Sequence, residues 1–293
     1  MIKLWVDNEY SIFNFLNKDK YNVISKKNNF YIDFEKSIGD VFVKTNRNSW
    51  FSCCDNLIDM TIEHDLDMLK NIYAANINIP RFIYSWDKLK YFKYLEYDKK
   101  YLLKSFNSAR TIGQMFVTKE NIFEIINDSN IMSHKEFNDK YKIDLSTCET
   151  NEEEKLLKDN IKDSQFYISD IQKFNGEYRI LYFENLDFYD FIIEEREGYQ
   201  INSKEKRSHR VIEMNSNSII NRMNILETLK EFGDSHYSPC LSFDVWIDED
   251  NFKWGLFEYS TEFGTIYTNN NRILEKQIND VFDYRCEKLL TKI

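Results

Sequence analysis

Two apolar runs near the end of the chain, LSFDVWID over residues 241–248 and WGLFEYS over 254–260, constrain the fold more than any other feature. The polar stretch between them is far too short for the crossover that parallel strands need, so the pair predicts an antiparallel hairpin. Asp244 and Glu258 stand near the middle of the two runs, and a hairpin can carry them side by side on one face.

The rest of the chain mixes the two periodicities. Residues 1–60 read as short strands, IKLWV, YNVIS, FYIDF and DVFVKT, with a helix around 10–16. Over 55–76 the positions Leu57, Ile58, Ile62, Leu66, Leu69, Ile72 and Tyr73 recur near helical spacing, which predicts one helix ending before Pro80. The extended NINIPRFIYS, a helix over 86–94 and a strand hairpin of YLLKSF and QMFVT around the polar NSARTIG come next, then a helix over 119–127. Residues 133–165 are densely charged with little apolar periodicity and are expected to form a mobile or loosely packed insertion. Strands QFYISDI, EYRILYF and FYDFIIEE, a basic loop over 202–210 and a helix over 219–232 lead to the hairpin, and a helix over 271–290 follows it. The order is α+β, without the regular βαβα alternation of a parallel sheet.

A chain of 293 residues has room for two or three packed lobes. Apolar residues at 42% against 30% charged support a packed interior, not a disordered chain. With 49 acidic against 39 basic side chains the net charge is −10, which opposes broad attraction to nucleic acid or anionic lipid. The basic cluster from Lys204 to Arg210 keeps a local phosphate contact open. Five cysteines include the adjacent Cys53 and Cys54 but no CxxC pair, so a reducing cytoplasm is the expected compartment. No apolar run approaches the ~18 residues of a membrane span.

Candidate chemistry concentrates on four strand residues. Two facing carboxylates repel unless a cation lies between them, and Mg²⁺ prefers hard oxygen ligands together with phosphate, so Asp244 and Glu258 suggest a metal–nucleotide site. Lys104, on an apolar strand beside a polar turn, can reach phosphates as a point charge. Arg179 has Glu177 two residues earlier on the same strand face. Each has a plainer alternative: acids on a solvated face, an edge-strand lysine, a structural Glu–Arg pair. His64, His134, His209 and His236 are scattered without metal spacing, and neither a G-x-S-x-G nor a GxxxxGK[ST] motif occurs.

In combination these segments resemble the ATP-grasp superfamily over roughly Asp65 to Ile293. NINIPRFIYS resembles its first strand with a proline, YLLKSFNSARTIGQMFV its lysine strand and phosphate loop, FYISDIQKFNGEYRILYF its adenine hinge and E-x-R strand, and SFDVWIDEDNFKWGLFEYS its metal-binding hairpin. The GLFEYSTEFG ending and glycine-poor loop look closest to peptide-modifying members, graspetide (microviridin-type) maturases and phage-associated variants. The resemblance implies an N-terminal α/β domain over 1–78, a central lobe with the phosphate loop over 79–130 and a C-terminal lobe over 131–293, the lobes clasping ATP. It implies Lys104 on the phosphates, Ser169, Asp170 and Ile171 at the adenine hinge, Arg179 on the γ-phosphate or acyl phosphate, and Mg²⁺ on Asp244 and Glu258. Ser260 falls where the family has an asparagine metal ligand, with Glu262 nearby to compensate. The family's first nucleotide lysine falls near Asp65, with Lys70 off register, and Arg110 is the candidate to replace its charge. The implied activity is ligation of a carboxylate to an amine or hydroxyl through an acyl phosphate. Its expected partner is a peptide, protein or amino acid, with a homodimer left open. A nucleotide-binding pseudoenzyme and a ligase for a small acceptor are the alternatives.

Overall fold

The computed structural model describes residues 1–7, 11–25, 40–45, 49–61, 63–106, 113–145, 148, 150–185, 193–196, 209–211, 219–261 and 271–291. Their strands make three sheets. In the first, which is parallel, β1 (Ile2–Val6) lies between β2 (Tyr21–Ser25) and β3 (Val41–Lys44), and β4 (Leu57–Asp59) pairs with β3. The second is antiparallel, in the order β5 (Phe82–Ile83), β8 (Phe166–Asp170), β6 (Lys100–Ser105), β7 (Gln114–Thr118). The third, also antiparallel, runs β11 (His209–Val211), β10 (Ile193–Arg196), β9 (Gly176–Phe183), β12 (Cys240–Asp248), β13 (Lys253–Ser260). The hairpin expected from the two apolar runs is therefore β12–β13, and YLLKSF and QMFVT pair as β6–β7.

Side-chain alternation decides what each face of the third sheet meets. Tyr178, Ile180 and Tyr182 with Leu241, Phe243, Val245 and Ile247 point into one core, closed by α1 (Asp65–Ala74) and α7 (Ile225–Ser235). On the opposite face Leu181, Phe183 and Cys240 bury against the parallel sheet and against Ile278, Val281 and Phe282 of α8 (Asn271–Leu290). Farther along that second face the apolar sequence gives way to Arg179 and Asp244. The second sheet sends Tyr101, Leu103, Met115, Val117, Phe166 and Ile168 into a third core beneath α2 (Leu89–Tyr94), α3 (Ile122–Ile131), α4 (His134–Tyr141) and α5 (Glu153–Lys162). Each fully buried large side chain contributes on the order of 1.5 to 3 kcal/mol, so each cluster is a substantial driving force.

The chain crossing from α1 to β5 is stitched to the outer edge of β13. Leu256 N donates to Asn78 O at 2.9 Å, and Asn78 Nδ2 donates to Trp254 O at 2.8 Å. Only glycine permits this approach at Gly255, where a Cβ would lie 2.1 Å from Asn78 O.

Several expectations are corrected. The single helix over 55–76 is a strand, β4, followed by the shorter α1. Ile58 is buried in the parallel sheet, and His64 caps α1 by accepting from Leu66 N at 3.3 Å. Residues 133–165 are not a loose insertion: α4 and α5 bury Phe137, Leu157 and Ile161 completely or nearly so. Short helices need only one or two apolar anchors per face, which their charged residues hid. The capping box in which Ser133 and Glu136 satisfy each other's backbone N–H is the local signal for the first of them. The helix over 219–232 is two, α6 (Ile219–Arg222) and α7, parted at Asn224 with φ 54°. Of the basic loop over 202–210, residues 209 and 210 belong to β11, and the remainder, like FYIDF and most of NSARTIG, lies outside the described residues. Among the described residues no helix is long and apolar enough to cross a membrane.

Candidate active site

The register of the third sheet puts three charged residues in one row. Arg179 on β9 is opposite Asp244 on β12, which is opposite Glu258 on β13. Directly opposed residues have Cβ atoms about 4.5 to 5.5 Å apart, so the row is a contiguous charged strip on one face. A register shift between Asp244 and Val245 bends the hairpin just past the strip.

Within the strip, Arg179 donates from Nε and Nη2 to the two oxygens of Asp244, each at 2.7 Å. This bidentate geometry is the strongest form of such a pair, and it forms where Asp244 is only 7% exposed. Glu258 is different. Its side chain is exposed to water on one side, yet protein groups, with Lys104 of the second sheet among them, crowd it on the others. That enclosure pushes its carboxyl up, to about 7, and the negative charge of Asp244 adds to the rise. Lys104 and Arg179 pull the other way, and Asp65 raises it further.

Lys104 enters from the second sheet. Leu103 beside it points to the core under α2, so Lys104 projects from the opposite face, where its Nζ lies 5.8 Å from the centre of the Phe257 ring. Phe174 packs edge-on against the same ring at 5.3 Å. Two cations and two anions thus converge from three strands of one sheet and one of another, as the sequence reading expects.

The remaining expected residues are distributed less simply. Ser169 is buried on β8, paired with Leu102 on the same face as Lys104, and Ile171 lies exposed just past the strand. The Asp170 carboxylate turns to the other side, where Arg81 and Lys99 approach it at 3.3 and 3.4 Å, and its amide N donates to Arg81 O. Ser260 ends β13, half-buried opposite Ser242, and Thr261 anchors that end by donating to Met60 O at 2.8 Å. Arg110 and Glu262 lie outside the described residues. Asp65 opens α1, where a carboxylate favours the positive end of the helix dipole, and this accounts for an acid at that position. Lys70, five residues on, pairs with Asp67 at 3.5 Å.

A second cluster, which sequence spacing does not reveal, lies on the opposite face of β13 from Glu258. Glu63 accepts from Asn71 Nδ2 at 2.8 Å, from His236 Nε2 at 3.2 Å and from the hydroxyl of Tyr259. His236 Nδ1 accepts from Ser238 N at 3.1 Å, which fixes the tautomer that donates to Glu63. These partners are up to 196 residues apart, so no spacing rule connects them.

Among the described residues no group of three or more His, Cys, Asp or Glu side chains is placed to hold a metal ion. Mg²⁺ in nucleotide sites needs fewer, since one or two carboxylates and the phosphates suffice. The opposed Asp244 and Glu258, with the raised pKa of the latter, fit that donor set: added positive charge would relieve their repulsion.

No protein-family model matches the sequence, and no curated protein does. Solved structures do match over nearly the whole chain. D-alanine–D-alanine ligase from Bacillus anthracis aligns with 99% of this chain and 98% of its own at TM-score 0.57 and 12% identity. A RiPP-associated ATP-grasp ligase from Chryseobacterium gregarium, solved with ADP and a leader and core peptide, aligns over 97% of each chain at TM-score 0.56 and 10% identity. Macrocyclase MdnC from Microcystis aeruginosa MRC, bound to precursor peptide MdnA, aligns with 97% of this chain and 100% of its own at TM-score 0.55 and 10% identity. At these identities the likeness establishes the architecture.

Proposed function

We propose, from the ATP-grasp fold that the chain adopts, that it is an ATP-dependent ligase joining a carboxylate to an amine or hydroxyl, with a peptide, protein or amino acid as substrate. The observation that carries the proposal is the strip Arg179–Asp244–Glu258 with Lys104 of the second sheet beside it. Positive charge from Lys104 and Arg179 beside the acids Asp244 and Glu258 suits phosphoryl transfer, because that chemistry depends on positioning and charge neutralisation.

In this reading Lys104 binds ATP phosphates, the backbone from Ser169 to Ile171 borders the adenine, and Arg179 stabilises charge on the transferring phosphoryl group. Arg110 is the candidate to add a further positive charge. A substrate carboxylate oxygen bonds to the γ-phosphorus as the bond to ADP breaks. The amine or hydroxyl then attacks the acyl carbon, losing its proton as phosphate leaves. Asp244 and Glu258, with Ser260 beside them, would hold Mg²⁺, which neutralises phosphate charge. The peptide preference is supported by the likeness to the two peptide-bound ligases.

Two observations favour a second reading, nucleotide binding without turnover: Asp65 where the resemblance expects a lysine, and Arg179 already engaged at both ends of its fork by Asp244. Calorimetry with Mg-ATP, followed by ADP release with candidate peptides, separates the two. Binding with peptide-dependent ADP release supports the ligase, binding without release supports the second reading, and no binding at millimolar ATP overturns both.

A further inference from the structure

Cys53 and Cys54 are the only adjacent pair among the five cysteines, and the structure gives them a setting that the others lack. Cys240 and Cys286 are fully buried among apolar side chains, where a thiol acts as a small hydrophobe, and Cys148 has no cysteine near it in the sequence. Cys53, by contrast, is exposed and Cys54 half-buried, and their two thiols are in hydrogen-bond contact. The backbone that carries them is held on either side. Before the pair, Phe51 of the short 3₁₀ helix Trp50–Cys53 is buried against Phe42 of β3, ring centres 5.3 Å apart, and Cys54 N donates to Phe51 O at 2.9 Å. After it, Asn56 O accepts from Phe42 N at 2.9 Å, and Asn56 Nδ2 donates to Asp40 O at 3.2 Å. A reachable dithiol on a pinned backbone is preorganised for a ligand that both sulfurs can hold.

Elementary chemistry narrows what two such sulfurs take. A disulfide wants Cα atoms roughly 4.4 to 6.8 Å apart, whereas consecutive residues across a trans peptide lie about 3.8 Å apart, so closing the pair on itself costs strain. An ion between the sulfurs lets them stay farther apart than an S–S bond of about 2.05 Å and avoids that cost. Hard cations prefer oxygen ligands, and Zn²⁺ in structural sites takes four ligands. Among the described residues no third His, Cys, Asp or Glu is grouped with the pair to hold a metal ion. Two sulfurs alone suit Cu(I), a soft ion that thiolates select and that accepts two-coordinate binding.

We propose that Cys53 and Cys54 together bind one Cu(I) ion as a bis-thiolate site. Each thiol releases its proton to solvent as its sulfur bonds to the ion, and copper keeps its oxidation state, so no oxidant or reductant is consumed. The exposed Cys53 gives the ion a way in from solvent, and the half-buried Cys54 holds its inner side. The pair precedes β4, whose other end leads to Met60 and the hydrogen bond it accepts from Thr261 just past β13. The site is thus at the opposite edge of the parallel sheet from that joint, and its loading is independent of the nucleotide reading.

The test uses the reduced, full-length protein without oxygen, with Cu(I) presented as its coloured bicinchoninate complex. The parent protein should withdraw one equivalent of copper. Cys53→Ser and, separately, Cys54→Ser should each weaken capture by more than the ~10- to 100-fold that loss of a supporting partner costs a metal site, whereas Cys148→Ser should capture as the parent does. Cys53 is exposed, so its substitution leaves the core intact and guards against loss of folding in the Cys54 variant. No withdrawal of copper, capture unchanged in either variant of the pair, equal loss in Cys148→Ser, Zn²⁺ held as tightly in competition, or a dimer in sedimentation that appears only with copper would each overturn the proposal. Calorimetry with Mg-ATP should give Cys53→Ser the affinity of the parent, so the copper site stands or falls apart from the ligase reading.

Discussion

Glu258 and Tyr259 are adjacent on β13 and point to opposite faces, and each meets a carboxylate in a different condition. Behind the strand, Glu63 is saturated: Asn71, His236 and Tyr259 all donate to it. In front, Glu258 faces Asp244, whose oxygens Arg179 already holds, and is left with repulsion that Lys104 only partly offsets. The first arrangement is complete without a ligand and serves to tie α1 and α7 to the sheet. The second is incomplete, and added positive charge would stabilise it. A satisfied network builds a scaffold; an unsatisfied one beside it is where a ligand gains binding energy.

The largest effect should come from breaking the unsatisfied side. Glu258→Gln keeps the size of the side chain and removes a negative charge, so ADP release should fall by roughly two to three orders of magnitude. Thermal stability without nucleotide should hold or rise, because repulsion with Asp244 is relieved. Parent-like turnover in both this variant and Asp244→Asn would refute the metal role of the pair.

On the satisfied side the consequences reverse. Glu63→Ala leaves the buried Tyr259 hydroxyl, the half-buried His236 and the exposed Asn71 amide without their acceptor and should cost about 2 to 3 kcal/mol in denaturant unfolding. Mg-ATP binding per folded molecule should change little. If affinity falls as much as stability does, the cluster is part of the site and not only its support.

The two carboxylates should also give opposite pH signatures. Crowding by protein and the charge of Asp244 raise Glu258 above its ordinary 4.5, to about 7, so its contribution to stability is full below about 4.5 and is lost as pH rises through about 7. For Glu63, burial alone would raise the pKa, but the hydrogen bonds from His236, Tyr259 and Asn71 outweigh it and leave the carboxyl below 4.5. Its contribution is present above 4.5 and is lost as pH falls through that lowered value. Melting of the nucleotide-free protein from pH 5 to 8 should slope downward, and Glu258→Gln should flatten the slope. An unchanged slope would show that Glu258 is solvated like any surface acid.

The same contrast explains what could be read from the sequence. The hairpin half of the strip was legible because hairpin register is local: a short turn and two-residue alternation put Asp244 beside Glu258, whereas GEYRILYF reads only as a strand, and long-range pairing with β12 sets Arg179 in the row. Lys104 was legible for the same reason, as the polar member of an apolar strand. The Glu63 cluster was not, because its partners meet only after α1, α7 and β13 have packed. Nor were α4 and α5, whose helical character rests on single anchors such as Phe137 and Leu157 and on the cap at Ser133. The strand β4 was misread as helix because Leu57 and Ile58 suit either period over so short a span, and parallel pairing with β3 decided it.

The smallest predicted effect sharpens the comparison at a single atom. Tyr259→Phe removes only the hydroxyl that donates to Glu63 and accepts from Asn71 Nδ2 at 3.2 Å. The ring keeps its packing against Phe232, whose centre is 5.0 Å away, so no cavity forms. Glu63 retains the hydrogen bonds from Asn71 and His236, and the cost should be about 1 kcal/mol, less than half that of Glu63→Ala. Because Glu258 lies on the other face of β13, its pKa and the ADP release rate should not move with this change. Urea unfolding and the pH profile of turnover, run on the same preparation, check both halves. A profile shifted along the pH axis would mean that the two faces of the strand are electrically coupled, and that the scaffold side also sets the charge of the reacting side.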